Sequence, residues 1–175
     1  MTQQQTVCVC NSLRMVTRAV TQLYDDTLRP SGLRVTQFSI LGLIARLGAA
    51  NVTRLTQVLE IDQTTLTRSL KTLESDELIE RVAQADARVK VVRLTAKGKQ
   101  AVRAAYPLWK DAQQRVLRQI GAKAWADIQG LLASLPGIKS VSPARKSYGK
   151  AVSAMRAHAH DGQQGTGRKY GSQAR

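Results

Sequence analysis

The chain contains few acidic and few aromatic residues. Among its 175 residues, 12 Asp and Glu stand against 27 Lys and Arg, so the formal net charge is +15. Aromatic residues make up only 4% of the chain, although 43% of it is hydrophobic. That hydrophobic fraction is enough for one core of aliphatic side chains, which argues against a wholly disordered chain. The excess of positive charge favours an anionic partner, either nucleic acid or a membrane surface.

Long apolar runs are also missing. The most apolar stretch, residues 38–45, ends at Arg46 and is too short to cross a membrane. Residues 1–20 carry polar side chains throughout and do not resemble a signal peptide, so we expect a cytoplasmic protein. The basic residues do not lie opposite bulky apolar ones on one long helix, which disfavours a membrane-surface role.

Cysteine and histidine are scarce, which limits the chemistry. The two cysteines, Cys8 and Cys10, cannot staple a domain of this size and should remain thiols in a reducing compartment. The only histidines are His158 and His160, and their spacing with the cysteines matches no standard zinc pattern. A catalytic thiol also needs a positioned base, which two histidines near the C-terminus do not supply. We therefore predict no metal, no cofactor and no enzyme activity.

The composition changes near residue 137. Residues 137–175 hold six of the 12 glycines, and eight Lys and Arg against Asp161 alone, a net charge of +7. The remaining +8 belongs to residues 1–136, so this part is basic by itself. We predict a folded domain over residues 1–136 and a basic tail over residues 137–175, with a short helix at 142–155 and disorder after His160.

Apolar residues recur at spacings of three and four in residues 1–136, which predicts helices. The predicted helices cover residues 11–28, 35–47, 53–60 and 62 to about 78, then a long helix opened by Thr95 and Gly98 and a last one around 125–135. Residues 79–82 and 89–94 are rich in β-branched side chains and predict a β-hairpin. The predicted fold is mostly α with a small β-hairpin.

Two short helices joined by a tight turn and followed by a basic hairpin indicate a winged helix-turn-helix domain. Asp62 can cap the second of these helices, because its carboxylate accepts hydrogen bonds from first-turn amides. A recognition helix reads the major groove with short polar groups and a few long cations. The candidate DNA-reading residues on this helix are Gln63, Thr64, Thr65, Thr67, Arg68 and Lys71. The hairpin adds Arg88 and Lys90 near its tip, and Arg81 and Arg93 at its base.

Several short motifs follow one another between Leu55 and Gly98. They are Thr67-Arg68, Leu73-Glu74, Leu78-Ile79-Glu80-Arg81, Asp86-Ala87-Arg88 and Leu94-Thr95-Ala96-Lys97-Gly98. In order and spacing this region resembles the signature of the MarR family of dimeric transcriptional regulators, and the resemblance extends over about residues 11–135. Glu77 departs from the family pattern, which usually has glycine there, and suggests a different helix C-terminus. Arg34 replaces the usual threonine cap of the second helix.

The resemblance implies roles for the wing and for the terminal helices. Arg88 would reach the minor groove, with Asp86 orienting its guanidinium; the alternative is a solvated surface ion pair. For Gln63, Thr64 and Thr65 the alternative is ordinary helix-start polarity. The first and last helices would join two subunits, and the two recognition helices would read an inverted repeat about one helical turn apart. The same apolar stripes also suit the core of a single chain.

Members of this family typically repress transcription until a small molecule or an oxidant changes the spacing of the two DNA-reading lobes. Cys8 and Cys10 precede the first helix, where the helix dipole stabilises a thiolate, and they resemble the reactive cysteine of the peroxide-sensing branch. Oxidation would give a sulfenic acid and then a disulfide, within the pair or across the dimer. The alternative is an inert pair of buried side chains.

A small aromatic effector is the second kind of signal that we consider. The side chains that could line its cleft are Tyr24, Phe38, Tyr106 and Trp109. Core packing is the simpler interpretation of these aromatics. The leading hypothesis is thus a homodimeric repressor of a palindromic operator. The alternatives are a DNA-coating protein without sequence preference and a thiol-dependent redox enzyme.

Overall fold

The computed structural model describes residues 8–83 and 90–134 of the chain. Its elements in chain order are α1 (Val9–Leu28), α2 (Val35–Leu47), β1 (Ala49–Asn51), α3 (Val52–Leu59), α4 (Gln63–Ser75), β2 (Ile79–Val82), β3 (Val91–Leu94) and α5 (Ala96–Ser134). A short 3-10 helix, Arg29–Ser31, connects α1 to α2. The prediction of a mostly helical fold with a small β wing is confirmed.

The three strands form one antiparallel sheet in the order β1-β3-β2. Strands β2 and β3 are the predicted hairpin, and Ile79 pairs with Leu94 at its base. Strand β1 was not predicted, because its three residues are Ala49, Ala50 and Asn51, none of which is β-branched. It forms by pairing with β3, where Ala50 stands opposite Val92. Residues 84–89, which include the predicted wing residues Asp86 and Arg88, lie outside the described ranges.

Aliphatic side chains build the main core, as the composition indicates. Helix α2 contributes six buried residues between Phe38 and Ile44. The helices α3 and α4 and the strands pack around it, and Leu55, Leu66 and Leu73 are fully buried there. A second, smaller cluster joins α1 to α5 through side chains such as Tyr24, and Trp109 packs against both clusters.

The ends of the helices show which helix boundaries could be predicted from the sequence. Helix α2 has the predicted bounds, and Gly48 follows it with φ 72°, a left-handed conformation that glycine adopts at little cost. Helix α1 starts at Val9 rather than at residue 11, so that Cys8 is its N-cap and Cys10 lies in the first turn. Helix α5 contains both predicted final helices, and Gly121 separates its two helical segments with φ 77° and ψ 161°.

At the start of α2, side-chain oxygens of other residues take the place of the usual threonine cap. Arg34 is the N-cap residue, and its backbone N–H donates to Oε1 of Gln37 at 2.9 Å. The next amide, of Val35, donates to Oδ1 of Asp25 at 2.8 Å. Because Asp25 belongs to α1, the capping carboxylate also ties α1 to α2.

The end of α4 corrects the expectation of a different helix C-terminus at Glu77. Glu77 adopts φ 59°, the conformation that favours glycine at this position of a helix end. Its N–H donates to the carbonyl of Glu74 at 3.0 Å, and the N–H of Leu78 donates to the carbonyl of Leu73 at 2.9 Å. These two bonds form a Schellman motif, so glutamate occupies a glycine-type helix end.

Thr95 and Gly98 explain the motif that opens α5. The Thr95 hydroxyl donates to the carbonyl of Glu77 at 2.7 Å and accepts from the N–H of Gly98 at 3.0 Å. A Cβ on Gly98 would lie 1.9 Å from the carbonyl oxygen of Leu78, so only glycine fits this contact. The junction fixes the end of α4, the base of the wing and the start of α5 to one another.

No helix in the described ranges is long and apolar enough to span the membrane. The predicted boundary at residue 136 and the basic tail over residues 137–175 lie outside the described residues, so both stay predictions.

Candidate nucleic-acid interface

Helices α3 and α4 form the helix-turn-helix, and an oxygen of the preceding side chain caps each of them. The side chain of Asn51 accepts from the N–H of Arg54 at 2.6 Å at the start of α3. At the start of α4, Asp62 accepts from the N–H of Thr65 at 2.8 Å, which confirms the predicted cap. The hydrogen bonds from Thr65 lower the pKa of the Asp62 carboxyl below its ordinary value. A carboxylate therefore stands at the N-terminus of α4 at neutral pH.

One face of α4 is buried and the other is open to solvent. Leu66, Leu70 and Leu73 point into the core. The residues predicted to read DNA are all exposed, namely Gln63, Thr64, Thr65, Thr67, Arg68 and Lys71. The structure thus presents all six on the accessible side of one helix.

The six residues differ in the contacts that their side chains already make within the protein. The Thr65 hydroxyl donates to Oδ2 of Asp62 at 2.6 Å, so this side chain also takes part in capping. Within residues 8–83 and 90–134, no acidic side chain forms an ion pair with Arg68 or Lys71. Their charges are therefore available to an anion, in contrast to those of the wing-base arginines.

The wing-base arginines are held by glutamates. Nε and Nη2 of Arg81 donate to the two carboxylate oxygens of Glu74 at 2.8 and 2.9 Å. This bidentate contact lowers the pKa of Glu74 and raises that of Arg81, and it links α4 to β2. In the same sheet, Nε of Arg93 donates to Oε1 of Glu80 at 2.7 Å. Arg81 was predicted to contact DNA, and the geometry gives it a first role as a brace between recognition helix and wing.

A cleft of about 920 Å³ lies between α3, α4 and the sheet. It contains the predicted residues Gln63, Thr67, Arg81 and Lys90, which the fold brings to one site. Thr53 and Thr56 of α3 line the same cleft and were not predicted. Threonines on a short helix offer no sequence signal of their own, and only the packing of α3 beside α4 identifies them.

The predicted sensor residues occupy two separate places. Cys8 and Cys10 are both free and exposed, which is opposite to the buried alternative considered from the sequence. Among the aromatics, the Trp109 ring stacks on both Phe38 and Tyr106, with centroids 5.9 Å apart in each pair. The Tyr24 hydroxyl donates to Oε1 of Gln113. These four side chains pack between helices in the core, and an effector cleft among them stays a prediction.

Comparison with known proteins agrees with this geometry. The model of the MarR family matches residues 33–90. The transcriptional regulator MosR of M. tuberculosis, in complex with DNA, is 37% identical with a TM-score of 0.67, and the match covers 76% of this chain and 99% of that one. A second MosR structure is 34% identical with a TM-score of 0.64, and the match covers 76% of this chain and 96% of that one. A mutant of E. coli MarR complexed with operator DNA is 26% identical with a TM-score of 0.67 and covers 74% and 94%. No curated protein sequence matches the chain.

Proposed function

Because the chain belongs to the MarR family of DNA-binding transcriptional regulators, we propose that it is a cytoplasmic, homodimeric repressor of an inverted-repeat operator, relieved by an oxidant or a small molecule. One observation carries the proposal. The exposed face of α4 presents Arg68 and Lys71 without acidic partners in the described part of the chain, beside a wing that Glu74 and Arg81 brace. Such a face can enter a major groove, while the wing lies along the backbone.

Exposed apolar residues on the terminal helices support the dimer. On α1 they include Val9, Leu13 and Val16, with 73%, 61% and 54% of their surface exposed. On α5 they are Ile128, Leu131 and Leu132, with 37%, 58% and 48% exposed. Val9, Leu13 and Val16 recur at spacings of four and three along α1, and an apolar face of this kind marks an interaction surface, which a second copy of the chain would cover.

The relatives support DNA as the partner. The MosR structure contains DNA and the MarR structure contains operator DNA. The two recognition helices of a dimer would read half-sites about one helical turn, roughly 10 base pairs, apart. Phosphate contacts would position the dimer, and the polar residues of α4 would supply the sequence preference.

Fluorescence anisotropy tests the proposal. The reduced protein is titrated with the duplex upstream of its own gene and with a scrambled duplex, and we expect a preference of at least ~10³ for the operator. Arg68→Ala should weaken operator binding by more than about tenfold. Lys110→Ala is the matched control, because Lys110 is an exposed cation on α5, and it should bind as the parent does. Equal affinity for operators and unrelated duplexes would instead indicate the DNA-coating protein.

Repeating the titration after mild peroxide tests the oxidant. We expect the preference to fall on oxidation and to return with a dithiol reductant, since a disulfide formed by Cys8 or Cys10 is reversible. The variant in which both cysteines are serine should bind the operator whether or not peroxide was present. Release of DNA from that variant by peroxide would place the oxidant sensor elsewhere, and an indifferent parent protein would favour a small-molecule effector.

A further inference from the structure

The two thiols at the start of α1 serve none of the usual structural purposes of cysteine. Cysteine is among the residue types most often buried, yet Cys8 and Cys10 are both exposed. Serine, threonine, aspartate and asparagine are the favoured N-caps, but Cys8 holds this position and its side chain makes no capping hydrogen bond. Neither thiol is used in a disulfide. What remains is a chemical role, because two neighbouring sulfur atoms can bind one ligand together.

The spacing puts the two thiols within reach of one small ligand. Two residues of chain separate their Cα atoms by at most about 7 Å, and the side chains can turn toward each other from there. Cys8 has an extended backbone, with φ −62° and ψ 115°, and Cys10 lies in the helix, so the chain bends between them. The first turn contains no acidic residue, and the next charged residue along α1 is Arg14.

The number of donors limits which ligands fit. A structural zinc site needs four protein ligands, and in residues 8–83 and 90–134 no group of three or more His, Cys, Asp or Glu could hold a metal ion. Two thiols satisfy a soft centre that already carries one substituent. A monosubstituted trivalent arsenical, R–As(OH)₂, is such a centre, because it exchanges its two hydroxyl groups for two sulfur atoms and keeps its organic group.

We infer that Cys8 and Cys10 form a two-thiol binding site for organic trivalent arsenicals. Binding forms two As–S bonds and breaks two As–O bonds. Each departing hydroxide takes the proton of one thiol and leaves as water, so two waters are released and no electron is transferred. The site therefore differs from an oxidant sensor in needing no change of oxidation state. That its occupation also releases DNA rests on the proposed repressor function.

Intact mass spectrometry of the full-length, reduced protein tests the site, with phenylarsine oxide as the probe. We expect one phenylarsenic group per chain, which survives excess glutathione and is removed by 2,3-dimercaptopropanol. Cys8→Ser and Cys10→Ser each leave one thiol, so each should lose affinity by at least about 100-fold and yield to glutathione, because the second bond is no longer intramolecular. Serine is a favoured residue at helix starts and should leave the fold intact.

Three results would overturn the inference. The first is that the parent protein forms no glutathione-resistant adduct. The second is that each single variant forms an adduct as resistant as that of the parent. The third is that neither single variant alone forms a resistant adduct, but a dimer made by mixing the two does. The last result would mean that the site spans two subunits. The mass measurement needs no DNA. The double cysteine-to-serine variant, tested on the operator by anisotropy, reports separately whether the protein binds the operator, which the proposed repressor function requires.

Discussion

Gly98 allows the first turn of α5 to pass directly over the backbone at the base of the wing. A Cβ at this position would lie 1.9 Å from the carbonyl oxygen of Leu78, and a backbone oxygen cannot rotate away as a side chain can. We expect Gly98→Ala to lower the free energy of unfolding by about 1–3 kcal/mol, as overpacking does. Urea denaturation measures this change.

Gly130 provides the matched control for that substitution. It lies in the same helix, and a Cβ added there would meet nothing within 4 Å. Gly130→Ala should therefore raise the stability, by up to about 1 kcal/mol, because alanine has the higher helix propensity. Equal effects of the two substitutions would show that helix propensity, and not the contact with Leu78, decides the residue at position 98.

Glu77 holds a backbone conformation that costs a residue with a Cβ about 1–2 kcal/mol. Its carboxylate is 3.0 Å from Nζ of Lys97, but both side chains are largely exposed, and such a pair contributes only about 0–1 kcal/mol. Because the backbone cost is the larger effect, we expect Glu77→Gly to stabilise the protein by roughly 0.5–1 kcal/mol in thermal or urea unfolding.

The substitution Glu77→Gln separates the effect of the lost ion pair from the effect of the backbone conformation. It removes the charge that Lys97 faces and keeps the side chain that disfavours φ 59°. The glutamine variant should be slightly less stable than the parent, and the glycine variant more stable than both. A glycine variant less stable than the glutamine variant would contradict the strain argument.

At the scale of the elements, the pair of Glu74 and Arg81 fixes the wing against the recognition helix. Its bidentate geometry is favourable, but 37% and 56% of the two side chains are exposed, so we expect its contribution to stability to stay near about 1 kcal/mol. A brace matters more for DNA binding, because it orients the wing relative to the groove-reading face. Glu74→Gln and Arg81→Gln should then weaken operator binding by similar factors.

The double variant distinguishes a brace from a direct contact. If Arg81 acts only through Glu74, the double variant should bind the operator as each single variant does, because the brace is already broken. If Arg81 also binds phosphate, Arg81→Gln should weaken binding beyond Glu74→Gln and reduce the salt dependence. Anisotropy titrations at several salt concentrations compare the three variants, and unfolding experiments confirm that all of them are folded.

Elements defined by local signals could be predicted from the sequence, and those defined by distant contacts could not. The apolar period and Gly48 gave α2 its bounds, and Asp62 marked the start of α4. Strand β1 was missed because Ala49 and Ala50 have no strand preference apart from their pairing with β3. The bidentate contact of Arg81 was missed because nothing in a sequence shows which of several nearby carboxylates a wing arginine will reach.

At the scale of the whole molecule, the exposed apolar ends of α1 and α5 predict a dimer that a single charge should weaken. Leu131 has 58% of its surface exposed, and glutamate there would have to lose water if a partner covered it. We expect Leu131→Glu to raise the dimer dissociation constant by at least about tenfold, since burying an unpaired charge costs well over 1.4 kcal/mol.

Analytical ultracentrifugation over a range of protein concentrations measures that constant. Gln114→Glu is the matched control, because Gln114 is an exposed residue in the first segment of α5 and the substitution adds the same charge. The control should remain dimeric. A parent protein that sediments as a monomer at all concentrations would contradict the dimer and the inverted-repeat operator together.

The basic tail lies outside the pattern that the chain shares with its family, and its charge suggests a role in affinity rather than in sequence choice. Residues 137–175 carry eight Lys and Arg against one acidic residue. Each cation that contacts a phosphate releases a counterion and adds about 0.9 to the slope of log affinity against log salt concentration. Removal of residues 137–175 should therefore lower that slope by at least about 2 units and leave the ratio of operator to scrambled-duplex affinity unchanged. We propose that base contacts come from α4, and phosphate contacts carry no sequence information, so a loss of that ratio on truncation would mean that the tail itself reads the operator.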